Sequence, residues 1–264
     1  MTGTSPENVE VFPSAAELAT AAAERFVGAA SAAISANGTF LVALSGGSTP
    51  HALFALLASP AYSRRVEWPR VHLFWGDERC VPPDDESSNY RMARETLIDH
   101  VPLPPENVHR MRGEDPPAAA AERYEQELRA AFATPTGAPR AEPRSRFDLV
   151  LLGLGTNGHT ASLFPHLRAV HEHKRWVVAE DVEMLQMWRV TLTPDVINAA
   201  AEILFLVSGH EKAPVLRRVL RGPRMVDDLP AQAIAPADGR LLWLVDAPAA
   251  SELLSDRRAS VTPR

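Results

Sequence analysis

The stretch Phe147-Asp-Leu-Val-Leu-Leu-Gly-Leu-Gly-Thr-Asn-Gly-His159 decides the fold of this 264-residue chain. Its first six residues form a short apolar run, which is typical of a strand buried on both faces of a sheet. Similar runs lie at Thr39–Leu44, Val71–Trp75, Val108–Met111, Trp176–Ala179, Trp188–Leu192, Ile203–Val207 and Leu241–Val245. Because helical patterns separate these runs, the sequence predicts a three-layer α/β fold in which helices cover both faces of a mostly parallel sheet.

The helical patterns carry recognisable start and stop signals. Ser14 and Glu17 form a capping box before an Ala-rich helix that should end near Asn37. Thr49 is predicted to cap a helix that begins at Pro50 and runs through Leu57. Further helices are predicted at Ser88–Ile98, Pro117–Phe132, Pro194–Ala201, Glu211–Leu220 and Ala249–Arg257.

Length and composition limit the organisation of the chain. We expect one domain over residues 1–264, with an exposed loop at 134–146 that is rich in Pro and Arg. The 27 basic and 33 acidic residues give a net charge of −6, and without a dense basic run we expect neither nucleic acid nor an anionic membrane as a partner. Cys80 is the single cysteine, which excludes an internal disulfide and a multi-cysteine metal site. No apolar run is long enough to span a membrane and the N-terminus lacks a signal pattern, so we expect a cytoplasmic protein.

Three of the predicted strands end in loops with glycine and reactive polar groups. The first is Ser45-Gly-Gly-Ser-Thr-Pro50, where small residues and a helix N-terminus favour an anion. It is neither a Walker loop nor a nucleophile elbow, because the required Lys and the G-x-S-x-G order are absent. A tight turn with a helix cap is the alternative interpretation.

The second loop, Gly76-Asp-Glu-Arg79, places a guanidinium beside two carboxylates. Arg79 is suited to bidentate phosphate binding with an acid holding it in position, and a structural ion pair is the alternative. In the third loop, His159 is a candidate general base near neutral pH, and a structural histidine is the alternative. Since ligands bind beyond the carboxyl ends of parallel strands, we expect the three loops to form one site.

Two further patterns resemble a dinucleotide site and a metal site. Gly153–Gly158 matches the G-x-G-x-x-G dinucleotide pattern with Glu180 or Asp181 downstream, but Pro165 interrupts the helix that such a site needs. His166, His171 and His173 lack a carboxylate at motif spacing, so solvated side chains are favoured over metal ligands.

With these residues assembled, the chain resembles the 6-phosphogluconolactonase family. The resemblance covers nearly the whole chain, and its carriers are Leu44–Pro50, Trp75–Arg79 with Val81-Pro82 and Ser88-Asn89, Gly153–Pro165, Arg189–Thr193 with Asn198–Ala200, and Phe205–Lys212. It implies a sugar-phosphate isomerase-like, modified Rossmann fold. It also implies an enzyme that hydrolyses 6-phospho-D-glucono-1,5-lactone to 6-phospho-D-gluconate in the oxidative pentose phosphate pathway. It also implies no metal and no organic cofactor.

The same resemblance implies roles for individual residues. His159 is the expected general base, with Asn157 and Asp77 beside it in the catalytic group; the family usually has Asp where this chain has Asn157. The expected substrate-binding residues are Ser45, Gly46, Gly47, Ser48, Thr49, Arg79, Gly158 and Lys212. We expect a monomer or a small homo-oligomer.

Two alternatives remain at this stage. A glucosamine-6-phosphate deaminase/isomerase has a similar loop, but such enzymes place an acid shortly after the histidine, where this chain reads Ala161-Ser-Leu-Phe164. A non-catalytic sugar-phosphate sensor is the second alternative, and only Asn157 favours it.

Overall fold

The computed structural model describes residues 8–133 and 146–253. Its strands are β1 (Val9–Phe12), β2 (Phe40–Leu44), β3 (Val71–Trp75), β4 (Asp77–Arg79), β5 (Leu149–Leu152), β6 (Val177–Val182), β7 (Met187–Leu192), β8 (Glu202–Val207) and β9 (Arg240–Asp246). Its helices are α1 (Ala15–Asn37), α2 (Ser48–Ala58), α3 (Pro60–Ser63), α4 (Asn89–Thr96), α5 (Pro117–Ala133), α6 (Pro194–Asn198) and α7 (Ala213–Arg221).

A six-stranded sheet in the order β1-β9-β8-β5-β2-β3 forms the centre of the fold, and all of its neighbouring strands are parallel. Alternate residues of each strand enter different core clusters: in β5, Val150 and Leu152 pack with α5, α6 and α7, while Leu149 and Leu151 pack with α1, α2 and α4. The predicted three-layer α/β fold is therefore confirmed.

Not all of the predicted strands belong to this sheet. The runs predicted at Trp176–Ala179 and Trp188–Leu192 form β6 and β7 of a separate antiparallel sheet, with the order β4-β7-β6. This small sheet shares a core cluster with α5, because Val177 and Val190 face that helix layer. Asp77–Arg79, predicted as part of a loop, is its edge strand β4.

Several smaller predictions need correction. The predicted strand Val108–Met111 is reduced to an isolated bridge between Val108 and Leu73, and the short edge strand β1 was not predicted. Trp188, the first residue of the predicted apolar run Trp188–Leu192, is 45% exposed. The last predicted helix begins at Ser251, and its part beyond residue 253 lies outside the described residues.

The predicted loop 134–146 also lies outside the described residues, apart from the exposed Arg146. The single domain over residues 1–264 stays a prediction. Among the described residues, no helix is both long and apolar enough to cross a membrane.

Helix ends explain how the chain enters and leaves the layers. The Ser14 side chain accepts the backbone N–H of Glu17, and Gly38 takes a left-handed conformation after α1, as predicted. In contrast, α2 is capped by Gly47 and not by Thr49.

The strand order of the six-stranded sheet reverses direction between β2 and β5. Ligands of open α/β sheets bind at such a reversal, beyond the carboxyl ends of the strands.

Candidate active site

A cleft of about 270 Å³ opens at this reversal, beyond the carboxyl ends of β2, β5 and β8. The predicted site residues that line it are Ser45, Gly46, Gly47, Ser48, Thr49, Asp77, Arg79, His159 and Lys212. Residues from β4 and β7 of the small sheet form one of its walls. The three loops singled out from the sequence therefore meet in one place.

The loop after β2 presents a bare helix N-terminus to the cleft. No side chain caps α2, and its N-cap residue Gly47 has a φ of 105°, a conformation that glycine adopts without strain. The first N–H groups of a helix have no acceptor within the helix, so they are available to an anion. The Oγ of Ser45 is buried with no hydrogen-bond partner among the described residues. This loop is a suitable binding place for a phosphate.

Arg79 lies beside this loop and is held by neutral groups. Its Nη1 donates to the carbonyl of Ser87 at 2.9 Å and to Oδ1 of Asn89, while its buried Nε has no partner among the described residues. A Cβ at Gly46 would overlap the Asn89 amide, so glycine is required for this contact. The prediction that an acid holds Arg79 is wrong.

Glu78 instead fastens β4 to the start of α4. Its carboxylate accepts backbone N–H groups of Arg79, Asn89 and Tyr90, each at 2.8 Å, and the Oγ of Ser88 at 3.1 Å. Burial raises the pKa of Glu78, although these donors favour the charged form. These hydrogen bonds explain how the charged side chain of Glu78 is accommodated in a buried strand.

Asp77 points towards the opposite side of β4. Its Oδ2 accepts the Ser162 hydroxyl at 2.6 Å and lies 3.9 Å from Nη1 of Arg189. The Asn89 amide donates to the backbone carbonyl of Asp77 at 2.9 Å and approaches Oδ1 at 3.4 Å. Asp77 therefore connects the small sheet to the loop that follows His159.

The position of His159 defines its tautomer. Oδ1 of Asn157 accepts the backbone N–H of His159 at 3.2 Å, and the same oxygen lies 2.5 Å from Nδ1 of the ring. The backbone N–H can donate only to the amide oxygen of Asn157, so it is this oxygen that also faces Nδ1. An amide oxygen only accepts hydrogen bonds, and Nδ1 therefore has to carry the ring proton. Nε2 is then left with its lone pair, which is the form a general base needs.

The surroundings of His159 keep its imidazole neutral. Burial lowers its pKa to about 4, the nearby Asp77 raises it, and the positive charges of Arg189, Lys212 and Arg79 lower it further. The ring stacks on Phe164, with their centroids 4.2 Å apart. A Cβ at Gly155 would overlap the imidazole, so this glycine makes room for the ring.

Lys212 and Glu211 complete the far wall of the cleft, just before α7. A Cβ at Gly209 would overlap the carboxylate of Glu211, because that side chain folds back over the turn. Lys212 forms no ion pair with a carboxylate in the described part of the chain, so its charge is available to a ligand.

Asn157 and Gly158 do not line the cleft. Asn157 acts on it only through His159, and Gly158, with a φ of 87°, packs against Leu229. The segment after Gly158 forms turns and not a helix, and Glu180 lies in β6. The requirements of a dinucleotide site are therefore not met.

The other reactive side chains lie outside the cleft. Burial and the charge of Glu78 raise the pKa of the Cys80 thiol to about 11, so it is not activated. His166, His171 and His173 are exposed, and each faces an aspartate. No cluster of three or more metal-ligating side chains occurs among the described residues.

Asn89 and Arg189 also line the cleft, although neither was predicted as a site residue. Both occur in the segments that carry the family resemblance. The usable signal for Arg189 is its place in an apolar strand, where an arginine needs a reason to be buried. In the sheet it pairs directly with Arg79.

Fold and site together define an α/β protein with a cleft that is lined by a bare helix N-terminus, two arginines and a neutral histidine. The family model described as "Glucosamine-6-phosphate isomerases/6-phosphogluconolactonase" matches residues 13–243. The chain is 41% identical over 254 residues to the 6-phosphogluconolactonase of Mycobacterium tuberculosis, covering 94% of this chain and 99% of the relative. It is 40% identical over 250 residues to the 6-phosphogluconolactonase of Nostoc sp., and the match covers 94% of this chain and 98% of that relative.

A solved structure of the 6-phosphogluconolactonase from Trypanosoma cruzi is similar with a TM-score of 0.80 and 31% identity, covering 96% of this chain and 98% of that one. The chain belongs to the family of glucosamine-6-phosphate isomerases and 6-phosphogluconolactonases.

Proposed function

We propose that this chain is an enzyme that hydrolyses 6-phospho-D-glucono-1,5-lactone to 6-phospho-D-gluconate. The observation that carries the proposal is the convergence in one cleft of a bare helix N-terminus at Gly47–Ser48 and a neutral imidazole at His159. The first fits a phosphate, and the second fits water activation. Its relatives named 6-phosphogluconolactonase support this choice of substrate.

The proposed reaction begins at Nε2 of His159. Nε2 takes a proton from a water molecule, the water oxygen bonds to C1 of the lactone, and the carbonyl electron pair moves onto the carbonyl oxygen. That pair then re-forms the carbonyl, the bond between C1 and the ring oxygen breaks, and the imidazolium returns its proton to the ring oxygen. A lactone is an activated ester, so no covalent nucleophile is required.

The remaining residues of the cleft bind and orient the substrate. The Ser45–Thr49 loop, Arg79 and Lys212 hold the phosphate, which places C1 near His159 and uses remote binding energy for orientation. Asn157 holds the imidazole in its basic tautomer. Asp77 positions the wall of the cleft through Ser162 and Asn89.

The test is hydrolysis of freshly generated lactone with the uncatalysed decay subtracted. His159→Ala should lower kcat by about 10²- to 10⁴-fold, because that is the usual contribution of a positioned base. His51→Ala is the matched control, since His51 lies exposed on α2 outside the cleft. Near-normal turnover by His159→Ala, with an unchanged melting temperature, contradicts the assignment.

The deaminase and sensor alternatives are outcomes of the same experiment. Release of ammonia from glucosamine 6-phosphate supports the deaminase, although Ala161 and Ser162 stand where that chemistry needs an acid. Binding of 6-phosphogluconate without catalysed lactone hydrolysis supports the sensor.

A further inference from the structure

Arg189 is a buried cation in the cleft, and its one ion pair among the described residues, with Asp77, is long. The residue is 9% exposed, and its Nε has no acceptor among the described residues. The 3.9 Å between its Nη1 and Oδ2 of Asp77 exceeds hydrogen-bond distance, and the same oxygen already accepts the Ser162 hydroxyl. Asp77 therefore compensates the charge of Arg189 only in part. A partly compensated buried charge favours an anionic ligand in this site.

Arg189 and Arg79 face the cleft from neighbouring strands. They are direct partners in the β4–β7 register, so their side chains emerge on the same face of the small sheet. Two adjacent guanidinium groups repel one another, and burial lowers the pKa of Arg189 from its ordinary value. Negative charge in the cleft relieves both effects.

The two adjacent arginines make different contacts in the cleft. Arg79 is held by Asn89, which lies against Gly46 in the helix N-terminal loop. The guanidinium of Arg189 lies 5.8 Å from the ring centroid of Phe164, and the His159 ring stacks on that same ring at 4.2 Å. The charge of Arg189 also acts on the imidazole directly, because it lowers the pKa of His159 more than the charges of Lys212 and Arg79 do. Arg189 therefore lies near His159, while Arg79 is connected through Asn89 to the phosphate loop.

We propose that Arg189 binds the carbonyl oxygen of the lactone and stabilises the negative charge that forms there when water adds to C1. This assignment rests on the proposed lactonase function and gives the two arginines separate tasks. Arg189 acts on the reacting atoms, while Arg79 serves the phosphate. Donors directed at a developing oxyanion commonly contribute about 10²- to 10³-fold to kcat.

The experiment compares Arg189→Met and Arg79→Met on two substrates, the phosphorylated lactone and unphosphorylated glucono-1,5-lactone. Arg189→Met should lower kcat by about 10²- to 10³-fold on both substrates, because both form the same oxyanion. Arg79→Met should lose far more kcat/KM on the phosphorylated lactone than on the unphosphorylated one. Added guanidinium ion should restore part of the activity of Arg189→Ala.

A binding measurement shows whether Arg189 contacts the phosphate or the carbonyl oxygen of the substrate. Glucitol 6-phosphate carries the phosphate but has no carbonyl, so its affinity should be unchanged in Arg189→Met and weakened in Arg79→Met. If Arg189→Met weakens this ligand as much as Arg79→Met does, or if its loss disappears on the unphosphorylated lactone, Arg189 is a phosphate ligand and the proposal is wrong.

Normal turnover by Arg189→Met overturns the oxyanion role while leaving the lactonase function intact. A wild-type protein that does not accelerate lactone hydrolysis overturns the function itself. A melting temperature lowered in parallel with activity in both Arg189→Met and Arg189→Lys, without guanidinium rescue, assigns the residue a structural role.

Discussion

Asn157 holds the imidazole of His159 with a neutral amide, whereas the resembling family usually has Asp at this position. The amide oxygen fixes the tautomer equally well, since it accepts from Nδ1 and from the backbone N–H of His159. It offers no negative charge to an imidazolium, and burial accordingly keeps the pKa of His159 at about 4. In the proposed role of general base, His159 is therefore neutral down to low pH but is intrinsically weak.

Asn157→Asp should shift the acid limb of the kcat/KM profile to higher pH. A carboxylate beside Nδ1 favours the imidazolium and raises the pKa of His159, and His159 must be neutral to accept a proton. In the wild type, activity should fall only as pH approaches about 4. In the variant it should already fall at higher pH, while a stronger base should raise the plateau. Profiles measured between pH about 4 and 8 check this.

Asn157→Ala is the control for this shift, because it removes the tautomer contact without adding a charge. It should lower the plateau without moving the limb to higher pH. Coincident acid limbs in the wild type and Asn157→Asp would show that the residue at 157 does not set the protonation of the base.

The loop between β2 and α2 lies close to the start of α4 because Gly46 has no side chain. Gly46→Ala should raise KM for the phosphorylated lactone at least about tenfold, since the new Cβ displaces the Asn89 amide that holds Arg79. Gly28→Ala is the matched control: Gly28 lies inside α1 with nothing within 4 Å of an added Cβ. It should leave KM unchanged and stabilise the protein by about 0.5–1 kcal/mol. Steady-state kinetics and denaturant titration measure both effects, and an unchanged KM in Gly46→Ala contradicts the role of the loop.

The elements that apolar runs define were predictable, and those that depend on packing were not. β2, β3, β5, β8 and β9 are buried on both faces, so hydrophobicity alone reveals them. β4 could not be predicted from hydrophobicity because its sequence is Asp-Glu-Arg. Its charges are acceptable in a strand because of hydrogen bonds made in the packed structure, among them those from the backbone of α4 and from the Ser162 hydroxyl. The sheet to which β6 and β7 belong is a tertiary property that no local pattern contains.

The residues of the candidate site were likewise only partly predictable from the sequence. Loops at the carboxyl ends of parallel strands meet by topology, so Gly46, Gly47 and His159 could be grouped from the sequence. Asn89 and Arg189 reach the cleft from a helix start and from the second sheet, and their roles depend on contacts that only the packed structure shows.

At the scale of the whole molecule, the cleft joins two sheets and three loops that are far apart in the chain, so a ligand bound there should stabilise the entire fold. The ligand 6-phosphogluconate at about 100 times its Kd should add about 2.7 kcal/mol to the free energy of unfolding, because it binds only the folded state. For a chain of this size that corresponds to a rise in Tm of roughly 5–10 °C. Gluconate at the same concentration should give a much smaller rise, because it lacks the phosphate that the α2 N-terminus and Lys212 are expected to bind. Differential scanning calorimetry of the wild type and Gly46→Ala checks this, and equal shifts for gluconate and 6-phosphogluconate would show that the helix N-terminus is not the phosphate site.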